Sequence, residues 1–482
     1  MSINNRLLEE YIKGYYADNF WNELGQLVSV PSISAKTIGK FEQGSEDFRV
    51  QQERRQNLGK IVSAEAAILE LYGFTTKIIK HNGIPALVAH LNGTADSQLL
   101  TIYNHIDVQP ADDLDKWVVG KTQLDPFSPY FHNGVMYGRG TTDDKGPALN
   151  IIHAINFLRS NGYELPNIQV IYETQEESGS QYLEQILKKG IGSGSVHTPD
   201  SVLISDTILT GGKAVLTYKL RGNLRAFIRI QTGDKEAHSG LASVAENPLE
   251  ALMRLVPKLK DEGGKVLIPN FYDEIIEPTS KELGYLKQIA RNFDVEDYRK
   301  SLGIGRLPTT NAEKLLHMLG HEPDLKVLLV ENAQHSYGEI KTSIPYKAGL
   351  GISIRLVPGQ DPQKILRSLR RYVQSIDKRF VVTGNGQPAS ITDVGSEYIK
   401  HAFNAMKFGY GQTPEITAEG GTIGAVSVMQ KAFGLRTPIV LIPQSLPEHQ
   451  YHGALENFDN NQAERGFRVM VHYINSLGKL RK

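Results

Sequence analysis

The segment that decides the fold reads Leu99-Leu-Thr-Ile-Tyr-Asn-His-Ile-Asp-Val-Gln-Pro110. Its first five residues form a short apolar run that predicts a buried strand, and His105 and Asp107 follow where that strand ends. Three further apolar runs also end in polar side chains. These side chains are Glu176 and Glu177, then Asp206, then His449 and His452. Ligands of open α/β sheets bind beyond the carboxyl ends of the strands, so the sequence predicts that the four groups converge in one crevice.

The spacing of apolar residues predicts an α/β fold. Residues 5–29 have the periodicity of an amphipathic helix, 35–60 read as a polar surface loop, and 61–72 read as a second helix. From there to about residue 212, short apolar runs alternate with helical patterns. That alternation is typical of βαβ units. We therefore expect a mixed, mostly parallel sheet flanked by helices.

The chain is too long for one hydrophobic core, at 482 residues, and an inserted domain is expected. The fourth apolar run, before His449, is far from the other three in sequence. Between them, alternating stretches at 226–231 and 349–356 predict an antiparallel sheet. The predicted division is one discontinuous α/β domain made of 1–212 and 386–482, which carries all four polar groups, with a separate α+β domain at 213–385.

Composition excludes several classes of function. Lys plus Arg and Asp plus Glu number 53 each, so no basic field is available for nucleic acid or an anionic membrane. The chain has no cysteine, which leaves His and carboxylates as its strong metal ligands. No apolar run reaches membrane-spanning length, and the first ten residues are polar. These features predict a cytoplasmic protein.

Two acidic motifs point to metal chemistry, although each also has a structural explanation. Gly138-Arg-Gly-Thr-Thr-Asp-Asp-Lys-Gly146 contains adjacent carboxylates that repel one another unless cations offset the repulsion. The alternative is a glycine-rich turn with an Asp at a helix N-cap. Of the pair Glu176 and Glu177, one can bind metal while the other acts as a general base. The alternative is an acidic first turn of a helix.

Taken together, these side chains predict a metal site with a general base. The five candidate ligands are His105, Asp143, Glu177, Asp206 and His452. Glu176 is the candidate general base, and Asp107 is placed to orient the imidazole of His105. His449 and His452 have the i, i+3 spacing of ligands on a helix, and either is also compatible with a surface or core histidine. Ligands without sulfur suit the divalent ions Zn²⁺ or Mn²⁺, and the resemblance given next implies two such ions.

In this order, the motifs resemble the di-metal exopeptidase and deacylase family of carnosinases, carboxypeptidase G, acetylornithine deacetylase and succinyl-diaminopimelate desuccinylase. The resemblance covers almost the whole chain and looks closest to the carnosinase-like dipeptidases. It implies that Asp143 is shared by both metals and is followed by a cis peptide bond. It also implies that His105 and Asp206 complete one metal site, while Glu177 and His452 complete the other.

Two details of the resemblance concern the final histidine and the inserted domain. His452, rather than His449, precedes a glutamate by four positions, as the family ligand does. The insert resembles the family's lid and dimerisation domain, which implies a homodimer. Its candidate substrate-binding residues are His238, which would reach into the partner's active site, then Thr342 and Arg355 for the substrate carboxylate, and Gly421 and Thr422 in a contact loop.

The resemblance implies metal-dependent hydrolysis of the amide bond in dipeptides or short peptides that carry a free carboxylate. Asp206 favours a dipeptidase, because the family's carboxypeptidases and deacetylases tend towards Glu at that position. Two alternatives remain open. One is an N-acyl amino acid deacylase, and the other is a non-catalytic metal-binding interaction protein.

Overall fold

The chain forms two compact units in a computed structural model that describes residues 3–209, 213–331 and 342–481. Unit 1 runs to Tyr218 and resumes at Thr392–Thr417 and from Gly424 onwards, and unit 2 comprises Lys219–Ile391 and Ala418–Ile423. The predicted boundary at 212 falls outside the described residues. The return of Ala418–Ile423 to unit 2 was not expected from the sequence. The interpretation of the insert as a lid and dimerisation domain stays a prediction.

Several helices in each unit begin at a capping side chain. Ser45, for example, accepts the N–H of Phe48 at the start of the longest helix. The helices are α1 Asn5–Tyr11, α2 Ala17–Val28, α3 Glu46–Leu71, α4 Lys145–Ser160, α5 Leu183–Gly192, α6 Pro248–Leu259, α7 Ser280–Ala290, α8 Val295–Ser301, α9 Ala312–His321, α10 Pro362–Ile376, α11 Glu397–Tyr410, α12 Gly424–Phe433 and α13 Asn460–Leu477. Within the described ranges, none of them is both long and apolar enough to cross a membrane.

In the described ranges, the strands form two main sheets, one short three-stranded sheet and two short pairs. In chain order they are β1 Thr75–His81, β2 Ile84–Leu91, β3 Leu99–His105, β4 Val118–Val119, β5 Thr122–Gln123, β6 Tyr130–His132, β7 Val135–Tyr137, β8 Asn167–Glu173, β9 Ser201–Ile204, β10 Val215–Leu220, β11 Gly222–Gln231, β12 Ala237–His238, β13 Asp324–Glu331, β14 Ser343–Ile344, β15 Lys347–Leu356, β16 Val381–Gln387, β17 Ser390–Ile391, β18 Glu415–Glu419, β19 Ile439–Leu441 and β20 Asn457–Asp459.

The sheet of unit 1 is mixed, with a parallel centre. Its strands follow the order β1-β2-β8-β3-β9-β19-β10. The central neighbours β8, β3, β9 and β19 pair in parallel, whereas β1, β2 and β10 pair antiparallel with their neighbours. The central strands are buried on both faces, as their continuous apolar runs predict. The predicted α/β fold is confirmed, and parallel pairing brings the carboxyl ends of these strands to one edge.

Unit 2 contains a four-stranded antiparallel sheet in the order β13-β15-β11-β16. Buried and exposed residues alternate along β11, as expected for a sheet with one covered face. Apolar side chains of α6 and α10, including Leu255 and Leu369, form one core with the inner face of this sheet. The predicted antiparallel stretches at 226–231 and 349–356 lie within β11 and β15.

Two predictions of helix boundaries had different outcomes. The helix predicted over 5–29 is confirmed over 5–28, with a wider π-helical turn at Ile12–Tyr16 joining α1 to α2. The surface loop predicted at 35–60 is wrong over its second half, because α3 begins at Glu46. The first turns of α3 are rich in charged and amide side chains, and Gln51 and Asn57 are buried there. Polar residues on the buried face hide the apolar periodicity that marks a helix in sequence.

Candidate metal centre

The predicted ligands of unit 1 are delivered by strand ends and by one turn. His105 is the last residue of β3, while Glu176 and Glu177 follow β8 and Asp206 follows β9. Asp143 lies in the turn that precedes α4, and the peptide bond between Asp143 and Asp144 is cis, as the resemblance implied. The expected convergence therefore has a simple cause, since β8, β3 and β9 are parallel neighbours.

The carboxylate of Asp143 lies between two imidazoles. Its Oδ1 is 2.9 Å from Nε2 of His105, and its Oδ2 is 3.0 Å from Nε2 of His452. On the outer side of each histidine lies a second carboxylate. Asp206 is 3.9 Å from Nε2 of His105, and Glu177 is 3.0 Å from Nε2 of His452. The structure thus brings all five candidate ligands together. Asp143 lies between two groups, His105 with Asp206 and His452 with Glu177.

The hydrogen bond at the far side of His105 decides which of its nitrogens faces this cluster. Nδ1 donates to the main-chain carbonyl of Asp107 at 3.0 Å, because a carbonyl can only accept. In the neutral ring, Nε2 then carries a lone pair directed at the carboxylate oxygen of Asp143. A lone pair facing a carboxylate needs a cation or a second proton between them. This donor arrangement fits a divalent ion.

Asp107 does more than orient the imidazole of His105. Its carboxylate accepts the backbone N–H of Glu176 at 3.2 Å and that of Glu177 at 3.1 Å. It lies 3.6 Å from Nδ1 of His105, so the main-chain carbonyl makes the closer contact with the ring. Asp107 therefore fixes the backbone of the candidate base, Glu176, and of the candidate ligand, Glu177, beside the end of β3.

Electrostatics of the cluster also fit cations. Burial lowers the pKa of the His105 ring, but contacts with Asp107 and Asp143 outweigh burial and raise this pKa well above its usual value. Burial, followed by the charge of Asp206, raises the pKa of Glu176 to about 9. Burial likewise raises the pKa of Asp206 to about 6. Crowded, buried carboxylates resist ionisation, and divalent ions offset that repulsion.

The two candidate histidines near the C-terminus separate clearly. Nε2 of His449 lies 2.8 Å from Oδ2 of Asp459, and its Nδ1 lies 3.0 Å from the hydroxyl of Thr142. His449 is therefore a buried, fully partnered side chain, whereas His452 faces Asp143 and Glu177. The prediction that the two histidines share a helix is wrong. A 3₁₀ turn ends at His449, and His452 has a left-handed backbone with φ of 61°.

Some residues of the cluster were not singled out as site residues by the sequence. Asp144 forms a second possible ligand group with His105 and Asp206. Its Oδ2 accepts the amide of Asn104 at 2.6 Å. Gln109 donates to Oε2 of Glu177 at 2.8 Å. Asp144 and Gln109 both lie in the quoted motifs, next to or near Asp143 and Asp107. That proximity in sequence was the feature that could have identified them.

The candidate substrate residues of unit 2 form two local pairs. Ser239 N–H, next to His238, donates to the carbonyl of Thr342 at 3.1 Å, because β12 pairs with β14. Nη1 of Arg355 donates to the hydroxyl of Thr422 at 3.1 Å. Gly421 is exposed beside Thr422. Each pair joins residues far apart in sequence within unit 2.

Comparison with known sequences places the chain in a family. The profile of peptidase family M20/M25/M40 matches residues 101–476, so the chain belongs to this family of peptidases. It is 28% identical over 96% of its length to the human Beta-Ala-His dipeptidase, of which it covers 91%. It is 31% identical over 81% of its length to the Cys-Gly metallodipeptidase DUG1 of Saccharomyces cerevisiae, of which it covers 81%. The expected resemblance to the carnosinase-like branch is confirmed.

Solved structures agree with this assignment. The M20 family metallo-carboxypeptidase Sso-CP2 from Sulfolobus solfataricus superposes with a TM-score of 0.81 at 26% identity, covering 96% of this chain and 100% of that one. Human carnosine dipeptidase 1 superposes with a TM-score of 0.74 at 27% identity, covering 99% of each chain. The chain has the fold of a metal-dependent peptidase, and the prediction that it is one is confirmed.

Proposed function

We propose that this protein is a metal-dependent dipeptidase that hydrolyses the amide bond of dipeptides or short peptides with a free carboxylate. The observation that carries this proposal is the shared carboxylate of Asp143, with His105 on one oxygen and His452 on the other. The names of the dipeptidase relatives support the substrate class. An N-acyl amino acid deacylase remains the alternative, and no observation favours it.

The residues present fit two divalent cations, Zn²⁺ or Mn²⁺. His105 and Asp206 would hold one cation, Glu177 and His452 the other, and Asp143 would contribute to both. When bound, such a pair supplies Lewis acidity for the amide carbonyl and lowers the pKa of water. The absence of sulfur ligands suits both metals, so the choice between them is left to experiment.

The work of proton transfer falls to Glu176. Its carboxylate accepts a proton from the attacking water while the new C–O bond forms at the carbonyl carbon. The same carboxyl group then donates that proton to the amide nitrogen, and the C–N bond breaks to release a free amine. Asp107 holds the backbone of Glu176 in place, and the buried surroundings favour the protonated carboxyl between the two transfers.

Recognition of the substrate carboxylate is assigned to Arg355 with Thr422. Among the described residues, no carboxylate pairs with Arg355, whose guanidinium is held by the Thr422 hydroxyl. Burial, followed by the charge of Arg225, lowers the pKa of Arg355, so an anionic ligand would relieve a cost that the free protein bears. A guanidinium is also shaped to bind a carboxylate through two parallel hydrogen bonds.

His238 is proposed to stabilise the developing oxyanion. The N–H of Gly240 donates to Nδ1 of His238 at 3.0 Å, so the neutral ring carries its proton on Nε2. That tautomer can donate a hydrogen bond to an oxyanion. The resemblance assigns this residue to the active site of a second copy, and we propose a homodimer accordingly.

An exposed edge strand of unit 2 supports the homodimer. β13 lies at one edge of the four-stranded sheet, and four consecutive apolar residues, Val327 to Val330, are exposed there. Leu328 is 72% exposed. An uncovered apolar edge strand is a template for pairing with another chain. A cytoplasmic location also remains part of the proposal.

A substrate panel on metal-defined protein tests the proposed function. Metal-free protein, and protein reconstituted with Zn²⁺ or with Mn²⁺, would be assayed with dipeptides, their C-terminal amides and N-acetyl amino acids. We expect turnover of free dipeptides that depends on added metal and is lost with chelator. Faster turnover of N-acetyl amino acids would favour the deacylase, and no turnover on any substrate would contradict an enzyme.

A further inference from the structure

A buried ion pair lies behind the metal centre and is assigned no role by the proposed mechanism. Arg139 follows β7 and Glu456 precedes β20, and these two strands pair antiparallel. Nη1 of Arg139 is 2.7 Å from Oε2 of Glu456. The side chains are 2% and 0% exposed. A fully buried ion pair costs the desolvation of two charges, and further hydrogen bonds to both partners offset part of that cost.

The carboxylate of Glu456 organises the turn that carries Asp143. Its Oε2 accepts the N–H of Gly140 at 3.0 Å, and its Oε1 accepts those of Thr142 and Asp143, each at 3.1 Å. Three N–H groups of the turn therefore point at one carboxylate, and the N–H of Thr141 between them donates to the carbonyl of Gly138 instead. The backbone of Asp143 is fixed by a bond to Glu456, while its side chain faces the two histidines.

The guanidinium of Arg139 organises the loop that carries His452. Its Nη2 donates to the carbonyl of Gly453 at 3.0 Å and to that of His452 at 3.4 Å. It also donates to the carbonyl of Pro110 at 3.3 Å, and the guanidinium lies over the ring of Trp117. His452 has a left-handed backbone, an unfavourable conformation for a non-glycine residue, so it needs such external support.

We propose that Arg139 and Glu456 are positioning residues that set the separation between Asp143 and His452, and thereby the affinity for the cations that these ligands hold. Glu456 binds the backbone of Asp143, and Arg139 binds the backbone carbonyl of His452. The ion pair between Arg139 and Glu456 links these two contacts. The inference rests on the proposed metal centre. In the part of the chain that the structure describes, both residues bind the backbone of the ligands, so both would act through that backbone.

Calorimetric titration of metal-free protein with Zn²⁺ tests this inference without an activity assay. Glu456→Gln keeps the shape of the side chain but replaces one acceptor oxygen with an amide NH₂ group. That donor would face the N–H groups of the turn or of Arg139, so hydrogen bonds are lost. We expect the affinity for at least one of the two Zn²⁺ ions to fall by about 10- to 100-fold, the usual effect of losing a group that orients a ligand. Arg139→Lys keeps the charge but loses the forked geometry of the guanidinium. We expect it to lower the Zn²⁺ affinity by a similar factor.

The matched control is Glu23→Gln. Glu23 is also a buried carboxylate of unit 1, bound by the hydroxyl of Tyr72 at 2.7 Å and close to His153, but it contacts no predicted ligand. We expect it to lower the unfolding temperature of the metal-free protein while leaving Zn²⁺ affinity unchanged. If Glu456→Gln fails to fold, the same Zn²⁺ titration is made on Arg139→Lys and Glu456→Asp.

The outcomes separate this inference from the proposed function. Two Zn²⁺ ions bound with wild-type affinity by folded Glu456→Gln or Arg139→Lys protein would overturn the positioning role alone. Equal loss of Zn²⁺ affinity in Glu23→Gln would also overturn it, because the effect would then be one of general stability. Failure of the wild-type protein to bind Zn²⁺ or Mn²⁺ would overturn the proposed metal centre and this inference together.

Discussion

His105 in unit 1 and His238 in unit 2 are both proposed to act on one substrate, yet they are held in different ways. His105 ends a seven-residue strand with parallel partners on both sides and is 1% exposed. His238 ends a two-residue strand and is exposed, and the Gly240 N–H donates to its ring. The candidate metal centre is therefore held in position by the buried sheet, whereas His238 depends on a short surface pairing.

The difference predicts how variants behave. Substitutions in unit 1 should change the chemical step or the metal content while dimerisation persists. Substitutions in unit 2 should change substrate affinity or assembly while metal content persists. Four variants test this division, in order of decreasing expected effect.

Glu176→Gln should have the largest effect. Loss of a general base lowers kcat by about 10²- to 10⁴-fold. Because the glutamine keeps the backbone contact with Asp107, Zn²⁺ content measured by elemental analysis should be unchanged. Glu184→Gln, at a surface glutamate paired with Lys188 and Lys431, is the matched control and should retain full activity. More than a tenth of wild-type kcat in Glu176→Gln would contradict its role.

His238→Ala should lower kcat by about 10²- to 10³-fold, the usual effect of removing one oxyanion donor. Metal content and the circular dichroism spectrum should match those of the wild type. Unchanged kcat on a free dipeptide would contradict the assignment of the oxyanion donor.

Mixing two inactive variants sharpens the same comparison. In a heterodimer of Glu176→Gln and His238→Ala chains, one active site regains both intact residues if His238 acts on the partner, and neither site does if it acts on its own subunit. Random assortment would then restore about a quarter of wild-type activity. No recovery in demonstrated heterodimers would contradict action on the partner subunit.

Arg355→Met should raise KM by about 10- to 100-fold, because hydrogen bonds to charged groups contribute about 1.5–3 kcal/mol. The effect should disappear for a dipeptide amide, which lacks the carboxylate. Arg229→Met is the control, since Arg229 lies on the same sheet but is paired with Glu331 at the surface. An equal rise in KM for the acid and the amide would mean that Arg355 does not read the carboxylate.

Leu328→Lys should have the smallest effect on the folded chain. An exposed position tolerates substitution within about 0.5 kcal/mol of unfolding free energy. The introduced charge should nevertheless disfavour pairing of the β13 edge with a second copy, giving a lower mass by light scattering. A wild-type mass for this variant would place the dimer contact elsewhere, and a monomeric wild-type protein would contradict the homodimer itself.

Much of the site could be read from the sequence because its residues follow strand ends. Apolar runs as short as Leu99–Tyr103 identify buried strands, and the polar residue after each run reaches the sheet edge whatever its sequence distance. The prediction of α3 failed for the complementary reason. Its first turns bury Gln51 and Asn57, and hydrogen bonds from the Gln51 amide to the carbonyls of Thr37 and Gly39 cannot be seen in sequence periodicity.

The sequence by itself determined the class of fold, the ligand types and the family, because apolar periodicity and motif order are local properties. Only the tertiary structure separated His452 from the partnered His449 by contact, and only it revealed that Asp143 lies between two imidazoles. It alone joined Arg139 to Glu456, which are far apart along the chain. A buried hydrogen bond network is decided by which strands become neighbours, and that choice depends on the packing of the whole unit.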